Sequence, residues 1–152
     1  MKKIYIKMIN TKTDNKCSVL SYATKGSSAL DLRACINKTL RFESFQTILL
    51  STGISIYIND PNISAIILPR SGLGHNHGII LGNSVGLIDS DYQGEIMVSL
   101  LNRSKDTFYI NPGDRIAQIM FLPVIRPVFK IVDHFKEETK RGKKGFGHSG
   151  NI

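Results

Sequence analysis

Residues 47–58 read TILLSTGISIYI, and this run of apolar and β-branched residues predicts a β-strand. The same character appears in KIYIKMI (3–9), SAIIL (64–68), EIMVSLLN (95–102), RIAQIMFLPV (115–124) and VFKIVD (128–133). Turn-forming residues separate these segments at 59–62, 71–78, 91–94 and 111–114. No stretch of helical length has an apolar stripe at the helical period. Many short strands with regular turns predict an all-β sandwich or barrel.

The overall composition indicates a single folded domain. The chain has 152 residues, of which 41% are hydrophobic, enough for one core. No apolar run approaches the roughly 20 residues that span a bilayer, and the first residues lack the apolar region of a signal peptide. Two cysteines, Cys17 and Cys35, do not make a disulfide framework. We therefore predict a cytoplasmic protein without a membrane association.

Positive charge is the main compositional bias. The net charge of +8 favours an anionic partner, although many of the lysines are equally explained as solubilising surface charge. The charge is densest in KRGKK at 140–144. From Glu137 onward apolar residues nearly vanish, and glycine, lysine and arginine replace them. We predict a β domain at residues 1–136 and a flexible C-terminal arm at 137–152.

The arm contains GFGHSG at 145–150, which matches the phosphate-loop spacing G-x-G-x-x-G. A dinucleotide fingerprint opens a helix and is followed by an acidic residue about 20 positions later, whereas this chain ends two residues on. What remains is Arg141, Phe146, Ser149 and several backbone amides. These groups suit a lid that binds phosphates and stacks on a base.

Two stretches combine residues suited to phosphate chemistry. In LPRSGLG (68–74), Arg70, Ser71 and free backbone amides form a good anion site, with an ordinary loop as the equal alternative. In GLIDSDYQGEI (86–96), Asp89 is expected at the end of a buried strand and Tyr92 in the following turn. A carboxylate there can activate water and a tyrosine can stack on a ring. On these residues alone, an Asx turn closing a hairpin is the favoured alternative.

Two further stretches contain weaker candidates, and for each a purely structural role is the alternative. Asp31 lies between two leucines in SALDLRA (28–34), so on a strand it must face water, a cation or a metal-bound water. In NPGDRIAQIMF (111–121), Asp114 and Arg115 are expected to pair with each other, and Gln118 can donate to an oxyanion.

A metal site built on histidines and a covalent mechanism both have little support. His75 and His77 could form a metal pair, but no third ligand stands at a recognisable spacing. The sequence has no G-x-S-x-G nucleophile motif, so covalent catalysis is not suggested.

Five of these stretches, in this order, resemble the five motifs of the homotrimeric dUTPases, most closely the bacterial type. They are SALDLRA, PRSGLG, GLIDSDYQGEI, GDRIAQI and RGKKGFGHSG, and they span residues 28–150. The resemblance implies a distorted jelly-roll subunit, a homotrimer with shared active sites, and a C-terminal arm that closes over each site. The implied reaction is hydrolysis of dUTP to dUMP and pyrophosphate with Mg²⁺, which supplies dUMP for thymidylate synthesis and keeps uracil out of DNA.

The resemblance also implies roles for individual residues. Asp89 matches the general base that activates the attacking water, and Asp31 matches the acid that binds Mg²⁺ through water. Asn83 matches a uracil contact, Tyr92 the ring that packs beneath deoxyribose and excludes a 2′-OH, and Phe146 the ring that stacks on uracil. The other substrate-binding positions implied are Arg70, Ser71, Gly72, Leu87, Ile88, Asp89, Met97, Gln118, Arg141, Gly147 and Ser149.

Three positions depart from the family pattern. Ala29 and Lys144 stand where the family usually has glycine, and His148 replaces a frequent serine. If position 144 required a positive φ, its lysine would be strained by roughly 1–2 kcal/mol. An additional cation beside a triphosphate would offset that cost.

Two other functions are weighed against this resemblance. A dCTP deaminase shares the fold, but it needs an additional acid–base glutamate, and here only Glu95 follows the turn. A basic β-barrel that binds single-stranded nucleic acid needs aromatic residues interleaved with basic ones. Aromatic residues are only 8% of the chain and tryptophan is absent, so no stable nucleic-acid complex is expected.

Overall fold

The computed structural model describes residues 3–9 and 20–145. These residues form ten β-strands and one α-helix. The strands are β1 (Tyr5–Met8), β2 (Leu30–Arg33), β3 (Leu40–Phe42), β4 (Thr47–Tyr57), β5 (Ile63–Leu68), β6 (Ile79–Leu81), β7 (Gly86–Ile88), β8 (Glu95–Asn102), β9 (Phe108–Ile110) and β10 (Arg115–Pro123). The helix, α1, spans Ser71–His77.

The strands form two four-stranded sheets and one two-stranded sheet. The first sheet has the order β1-β4-β8-β6, the second has the order β2-β10-β5-β7, and β3 pairs with β9. Every pairing among the described strands is antiparallel. The prediction of an all-β protein is therefore confirmed.

The core is built by strands that alternate between buried and half-buried side chains. Along β8, Ile96, Val98 and Leu100 are buried and the intervening residues are half-buried, as the two-residue period of a strand requires. They join a single apolar cluster with Ile116 and Ile119 of β10, on the other four-stranded sheet. Each such side chain contributes about 1.5–3 kcal/mol by leaving water.

Strand β4 departs from this alternation at a bulge. Its pairing with β8 shifts register between Ser51 and Ser55, and Gly53 has a φ of 72° there. A Cβ at position 53 would lie 2.6 Å from the Sγ of Cys35, which is closer than real Cβ atoms approach other atoms. Both the positive φ and the close contact require glycine, so the bulge has a fixed position in the strand.

The strand prediction holds for five of the six segments and is wrong for the sixth. Residues 3–9, 47–58, 64–68, 95–102 and 115–124 each contain or overlap a strand, but 128–133 does not. Val128 and Ile131 are each 98% exposed, and no described strand pairs with this segment. An apolar β-branched pattern does not become a strand without a neighbour that completes its hydrogen bonds.

Helix α1 occupies the stretch that the sequence indicated as a turn. It begins at Ser71 and ends after His77, where Gly78 adopts the left-handed conformation with a φ of 70°. That conformation is the usual glycine ending of a helix. In the part of the chain that the structure describes, no helix has the length and apolarity to cross a membrane.

Candidate active site

Strand β10 brings together candidate residues that lie far apart in the sequence. In its ladders, Gln118 is opposite Asp31 of β2 on one side and opposite Leu68 of β5 on the other. Arg70 follows β5 by two residues, so it reaches the same place. Sheet register thus unites Asp31, Arg70 and Gln118, which the sequence suggested separately.

The carboxylate of Asp31 lies between two arginines. Arg70 Nε donates to Asp31 Oδ1 over 3.0 Å, and Arg115 Nη1 donates to Asp31 Oδ2 over 3.4 Å. Arg70 also donates through Nη1 to the backbone carbonyl of Arg115 over 3.3 Å. We call Asp31, Arg70, Arg115 and Gln118 the cation cluster. Two positive charges against one negative charge leave it suited to an anion.

Gln118 is oriented by the backbone beside it. Its Nε2 donates to the carbonyl of Pro69 over 2.9 Å, and the side chain is part-buried. One N–H of its amide group is used in that bond, which leaves the other amide hydrogen for a ligand. Gln118 therefore lies next to Arg70 as a further polar contact of the cation cluster.

The predicted pairing of Asp114 with Arg115 is wrong. Asp114 Oδ2 accepts from the backbone N–H of Asn111 over 2.8 Å and closes the turn before β10. Arg115 instead contacts Asp31, 84 residues earlier in the chain. A turn aspartate bonds its own local backbone readily, which frees the neighbouring arginine for the sheet partner that register places beside it.

Asp89 follows β7, but that strand is not buried as predicted. Its side chains are half-buried or exposed, and Leu87 is 65% exposed. Strand β7 lies at one edge of its sheet and packs mainly against β5, its one partner among the described strands. Asp89 itself is solvent-exposed. Its carboxylate is therefore accessible, as a group that meets substrate and water must be.

Asp89 and Tyr92 share one tight turn. The backbone N–H of Tyr92 donates to the carbonyl of Asp89 over 3.3 Å, and the N–H of Asn59 donates to the carbonyl of Ser90 over 3.1 Å. Tyr92 is 43% exposed, and its hydroxyl donates to the carbonyl of Glu95 over 3.0 Å. This turn presents a carboxylate and a ring together on the surface.

The stretch around this turn is not a hairpin, so the alternative interpretation of residues 86–96 as an Asx turn that closes a hairpin is wrong. Strand β7 pairs with β5, whereas β8 pairs with β4 and β6 in the other four-stranded sheet. Residues 89–94 therefore cross from one sheet to the other. The backbone groups of β7 and β8 are hydrogen-bonded within different sheets. The turn that connects the two strands is exposed.

The other candidates near this region lie on exposed connections or on β8. Asn83 is exposed between β6 and β7, where its carbonyl accepts from the N–H of Val85 over 2.7 Å. Ile88 is half-buried in β7, and Met97 is half-buried in β8 opposite Ser51.

Ser71 and Gly72 are exposed at the start of α1, next to Arg70 of the cation cluster. Their position on the chain places them at the cation cluster rather than at the Asp89 turn.

The two groups of candidates lie at opposite ends of β5. In the antiparallel pairing of β5 with β7, Ala65 is opposite Ile88, so Asp89 comes level with Ser64 at the start of β5. Arg70 lies beyond the other end of the strand. Six residues at roughly 3.3 Å each separate these levels by about 20 Å. Within one chain, Asp89 and the cation cluster are therefore well apart.

The described part of the arm forms a local turn. Arg141 Nε donates to the carbonyl of Lys144 over 3.0 Å, and the N–H of Lys144 donates to the carbonyl of Arg141 over 3.2 Å. Gly142 has a φ of 56°, whereas Lys144 is not among the residues with a positive φ. The strain considered for Lys144 is thus absent here, because Gly142 adopts the left-handed conformation. Phe146, Gly147, His148 and Ser149 lie outside the described residues.

One of the two histidines of α1, His77, packs against an aromatic ring. The ring of His77 packs against Phe108 with a centroid separation of 5.2 Å. No group of three or more histidine, cysteine, aspartate or glutamate side chains suited to a metal ion occurs within residues 3–9 and 20–145.

Comparison with known proteins gives a family match over most of the chain. The family model for dUTPase matches residues 15–150. A deoxyuridine 5′-triphosphate nucleotidohydrolase of Buchnera aphidicola subsp. Acyrthosiphon pisum (strain Tuc7) is 61% identical over 150 residues, covering 99% of this chain and 97% of that one. The enzyme of the same name from Haemophilus influenzae (strain PittEE) is 55% identical, with 99% of each chain covered.

Solved structures show the same fold at low sequence identity. A mutant dUTPase of Staphylococcus bacteriophage 80alpha with dUpNHpp has a TM-score of 0.81 at 19% identity, covering 99% of both chains. A mutant dUTPase of phage phi11 of S. aureus, described with a structural Mg(II) ion, has a TM-score of 0.77 at 17% identity, covering 89% of this chain and 99% of that one. The expected jelly-roll fold is confirmed by this likeness. On the family model and the identity to its relatives, the chain belongs to the dUTPase family.

Proposed function

We propose that the protein hydrolyses dUTP to dUMP and pyrophosphate. The observation that carries this proposal is the Asp89 turn, which presents an exposed carboxylate and the Tyr92 ring within four residues. Water activation and recognition of a nucleoside require these two groups close together. The choice of dUTP as the substrate rests on the relatives named as deoxyuridine 5′-triphosphate nucleotidohydrolases.

The cation cluster binds the phosphate chain in this proposal. Arg70 and Arg115 exceed the charge of Asp31, and Gln118 has an amide hydrogen available beside them. Arginine forms strong, directional hydrogen bonds with phosphate oxygens. Ser71 and Gly72, exposed directly after Arg70 in the chain, add a hydroxyl and a backbone amide.

Asp89 acts as the general base. Its carboxylate orients a water molecule and takes a proton from it as the water oxygen bonds to the α-phosphorus. The bond from the α-phosphorus to the bridging oxygen breaks, and pyrophosphate leaves. A positioned base of this kind typically contributes about 10²–10⁴ in rate.

Tyr92 and its neighbours bind the nucleoside. The ring of Tyr92 packs beneath deoxyribose and leaves no space for a 2′-OH. Asn83 contacts uracil, and Leu87, Ile88 and Met97 complete the binding region around it. The exposure of Asn83 and Leu87 in the single chain supports this assignment, because both remain accessible to a ligand.

Mg²⁺ is the cofactor in this proposal, and the carboxylate of Asp31 is the group in the cation cluster that fits it. Each oxygen of Asp31 accepts one arginine hydrogen bond and keeps a second lone pair for a water molecule. Mg²⁺ usually keeps several waters and binds through one or two carboxylates and the substrate phosphates. Asp31 would hold the ion through water, and the ion would offset phosphate charge. The structural Mg(II) ion of the phage phi11 enzyme is in line with this.

We infer that each active site is shared between subunits of a homotrimer. The backbone levels of Asp89 and Arg70 are separated by about 20 Å along β5. This separation supports a site in which one copy of the chain supplies Asp89 and another supplies the cation cluster.

The exposed segment after β10 supports an assembly of this kind. Its large apolar side chains are strongly exposed in the single chain: Ile125, Val128, Phe129, Ile131, Val132 and Phe135. Monomeric proteins rarely leave so many large apolar side chains of one short segment in water. A neighbouring copy that covers it removes this exposure.

The arm completes the site from residue 137 onward. In this proposal Arg141 and Ser149 bind phosphates, Phe146 stacks on uracil, and Gly147 contributes a backbone amide. Arg141 is exposed and hydrogen-bonded only within its own turn among the described residues, so its guanidinium is available for a ligand. The division of the chain at residue 136 and the cytoplasmic location stay predictions.

The test is pyrophosphate release across a panel of nucleotides. Purified protein with Mg²⁺ is assayed with dUTP, UTP, dTTP and dCTP, and products are separated by ion-exchange chromatography. We expect dUMP and pyrophosphate from dUTP, and little product from the others. Turnover of dCTP to dUTP and ammonia would instead support the deaminase alternative, and equal turnover of UTP would contradict the role of Tyr92.

The structure gives one reason to expect no deamination. The carboxylate of Glu95 accepts hydrogen bonds from the hydroxyl of Ser51 and from the N–H of Gly53, the latter over 2.9 Å. A glutamate engaged in this way with β4 is not free to act on a cytosine amino group.

A further inference from the structure

Tyr92 is held more tightly than its exposure suggests. At 43% exposure the ring has open solvent beside it, yet its hydroxyl donates to the backbone carbonyl of Glu95 over 3.0 Å. Its backbone N–H is also fixed by the carbonyl of Asp89. A ring that excludes a 2′-OH must resist rotating aside, because an unrestrained side chain moves easily between rotamers.

Gly94 lies directly against the hydroxyl end of the Tyr92 ring. A Cβ built at Gly94 would lie 2.6 Å from Cζ and 3.0 Å from Cε2 of Tyr92, and the hydroxyl oxygen would be closer still. Gly94 has no positive φ, so its backbone conformation is open to alanine. The three heavy atoms nearest to that Cβ position all belong to Tyr92. The close approach of the ring is therefore what requires glycine at this position.

Glu95 ties the carbonyl that holds Tyr92 to the core of the protein. Its carboxylate accepts from the hydroxyl of Ser51 and from the N–H of Gly53, at the bulge of β4. That bulge has a fixed position because Gly53 combines a positive φ with close contact to Cys35. The hydroxyl of Tyr92 is thus linked through Glu95 to a buried strand.

We propose that Gly94 and Glu95 are positioning residues that set the selectivity for deoxyribose over ribose. Gly94 lets the ring of Tyr92 approach the chain, and Glu95 fixes the carbonyl that holds its hydroxyl. Together they fix the ring in one place, where it leaves no space for a 2′-OH. This inference rests on the proposed hydrolysis of dUTP.

The experiment compares kcat/KM for dUTP and UTP in Gly94→Ala. Because Tyr92 is partly exposed, its ring can move away from the added methyl group without unfolding of the protein. This movement opens space for a 2′-OH. We expect the preference for dUTP over UTP to fall roughly tenfold or more, mainly through increased UTP turnover. Gly26→Ala is the matched control, since nothing lies within 4 Å of a Cβ at that exposed glycine. It should keep the wild-type preference.

A second pair of variants tests Glu95. Glu95→Gln keeps a side-chain oxygen that can accept from Ser51 and Gly53, so it should keep most of the preference. Glu95→Ala removes that acceptor and should lower the preference as Gly94→Ala does. Circular dichroism and thermal unfolding establish that each variant is folded. Equal loss of dUTP and UTP turnover in both Gly94→Ala and Glu95→Ala would mean that these residues are only structural and would overturn the inference.

The wild-type assay distinguishes failure of the proposed function from failure of the positioning role. If the wild-type protein shows no preference for dUTP, the proposed function itself is wrong. If the wild-type protein prefers dUTP and Gly94→Ala has the same preference, the proposed function stands and the positioning role is refuted.

Discussion

The two ends of strand β5 carry different chemistry and are built in different ways. Beyond its C-terminal end, Arg70 is fixed by the carboxylate of Asp31 and lies beside Gln118. These residues come from, or directly follow, three neighbouring strands of one sheet. Level with its N-terminal end, Asp89 projects from an exposed turn that is held by backbone hydrogen bonds. The first arrangement suits binding of a fixed anion, and the second suits a carboxylate that must meet water. In our proposal, these functions therefore come from separate regions that meet only in an assembly.

The largest effect should follow from a change at the exposed turn. Asp89→Asn keeps the size of the side chain but removes the base, so kcat for dUTP should fall by about 10²–10⁴. Binding of a non-hydrolysable dUTP analogue, measured by calorimetry, should change little because the cation cluster is intact. Asp91→Asn, an exposed aspartate in the same turn, is the matched control and should retain most activity. Full activity in Asp89→Asn would show that Asp89 is not the base.

Mixed assemblies test whether the two regions come from different chains. Arg70→Ala and Asp89→Asn are each expected to be nearly inactive alone. When the two variants are unfolded, mixed in equal amounts and refolded together, about a quarter of the sites should combine an intact cation cluster with an intact Asp89. Activity should then recover to roughly that fraction of the wild-type value. A site formed within one chain predicts no recovery, because every chain then has one defect.

Removal of the arm should have a smaller effect than loss of the base. A chain that ends at Lys140 lacks Arg141 and the residues after it, and losing a charge-assisted hydrogen bond of about 1.5–3 kcal/mol lowers kcat/KM by about tenfold or more. The sheets should be unaffected, since β10 ends at Pro123. Thermal unfolding and analytical ultracentrifugation check that fold and assembly are retained. A truncated chain that fails to assemble would mean that the arm is a structural element.

The sequence could predict features that depend on local residue patterns, but not those that depend on how the strands pair. Long segments such as 47–58 and 95–102 showed their strand character, whereas β3, β6 and β9 have three residues each, too few to show a period. Asp31, Arg70 and Gln118 could each be suggested from local residue types. Their convergence depends on the register of β10 against two partners, which no local pattern contains.

In the segment 128–133, the local pattern predicts a strand that does not form. Its apolar, β-branched pattern is real, but the pattern does not tell whether a partner strand exists in the same chain. The pairing of Arg115 with Asp31 was missed for a related reason. Asp114 is its immediate neighbour, and only the fold reveals that this aspartate is already bonded to Asn111.

The smallest expected effect concerns the departure of Lys144 from the usual glycine. Lys144 has no positive φ, because Gly142 adopts the left-handed conformation in the turn that joins Arg141 to Lys144. Lys144→Gly therefore relieves no strain, and kcat/KM for dUTP should change by less than about threefold. Gly142→Ala, by contrast, introduces a strain of roughly 1–2 kcal/mol and should lower kcat/KM more. A clear gain of activity in Lys144→Gly would mean that the closed arm requires a positive φ at position 144, so that the turn would differ from the one described here.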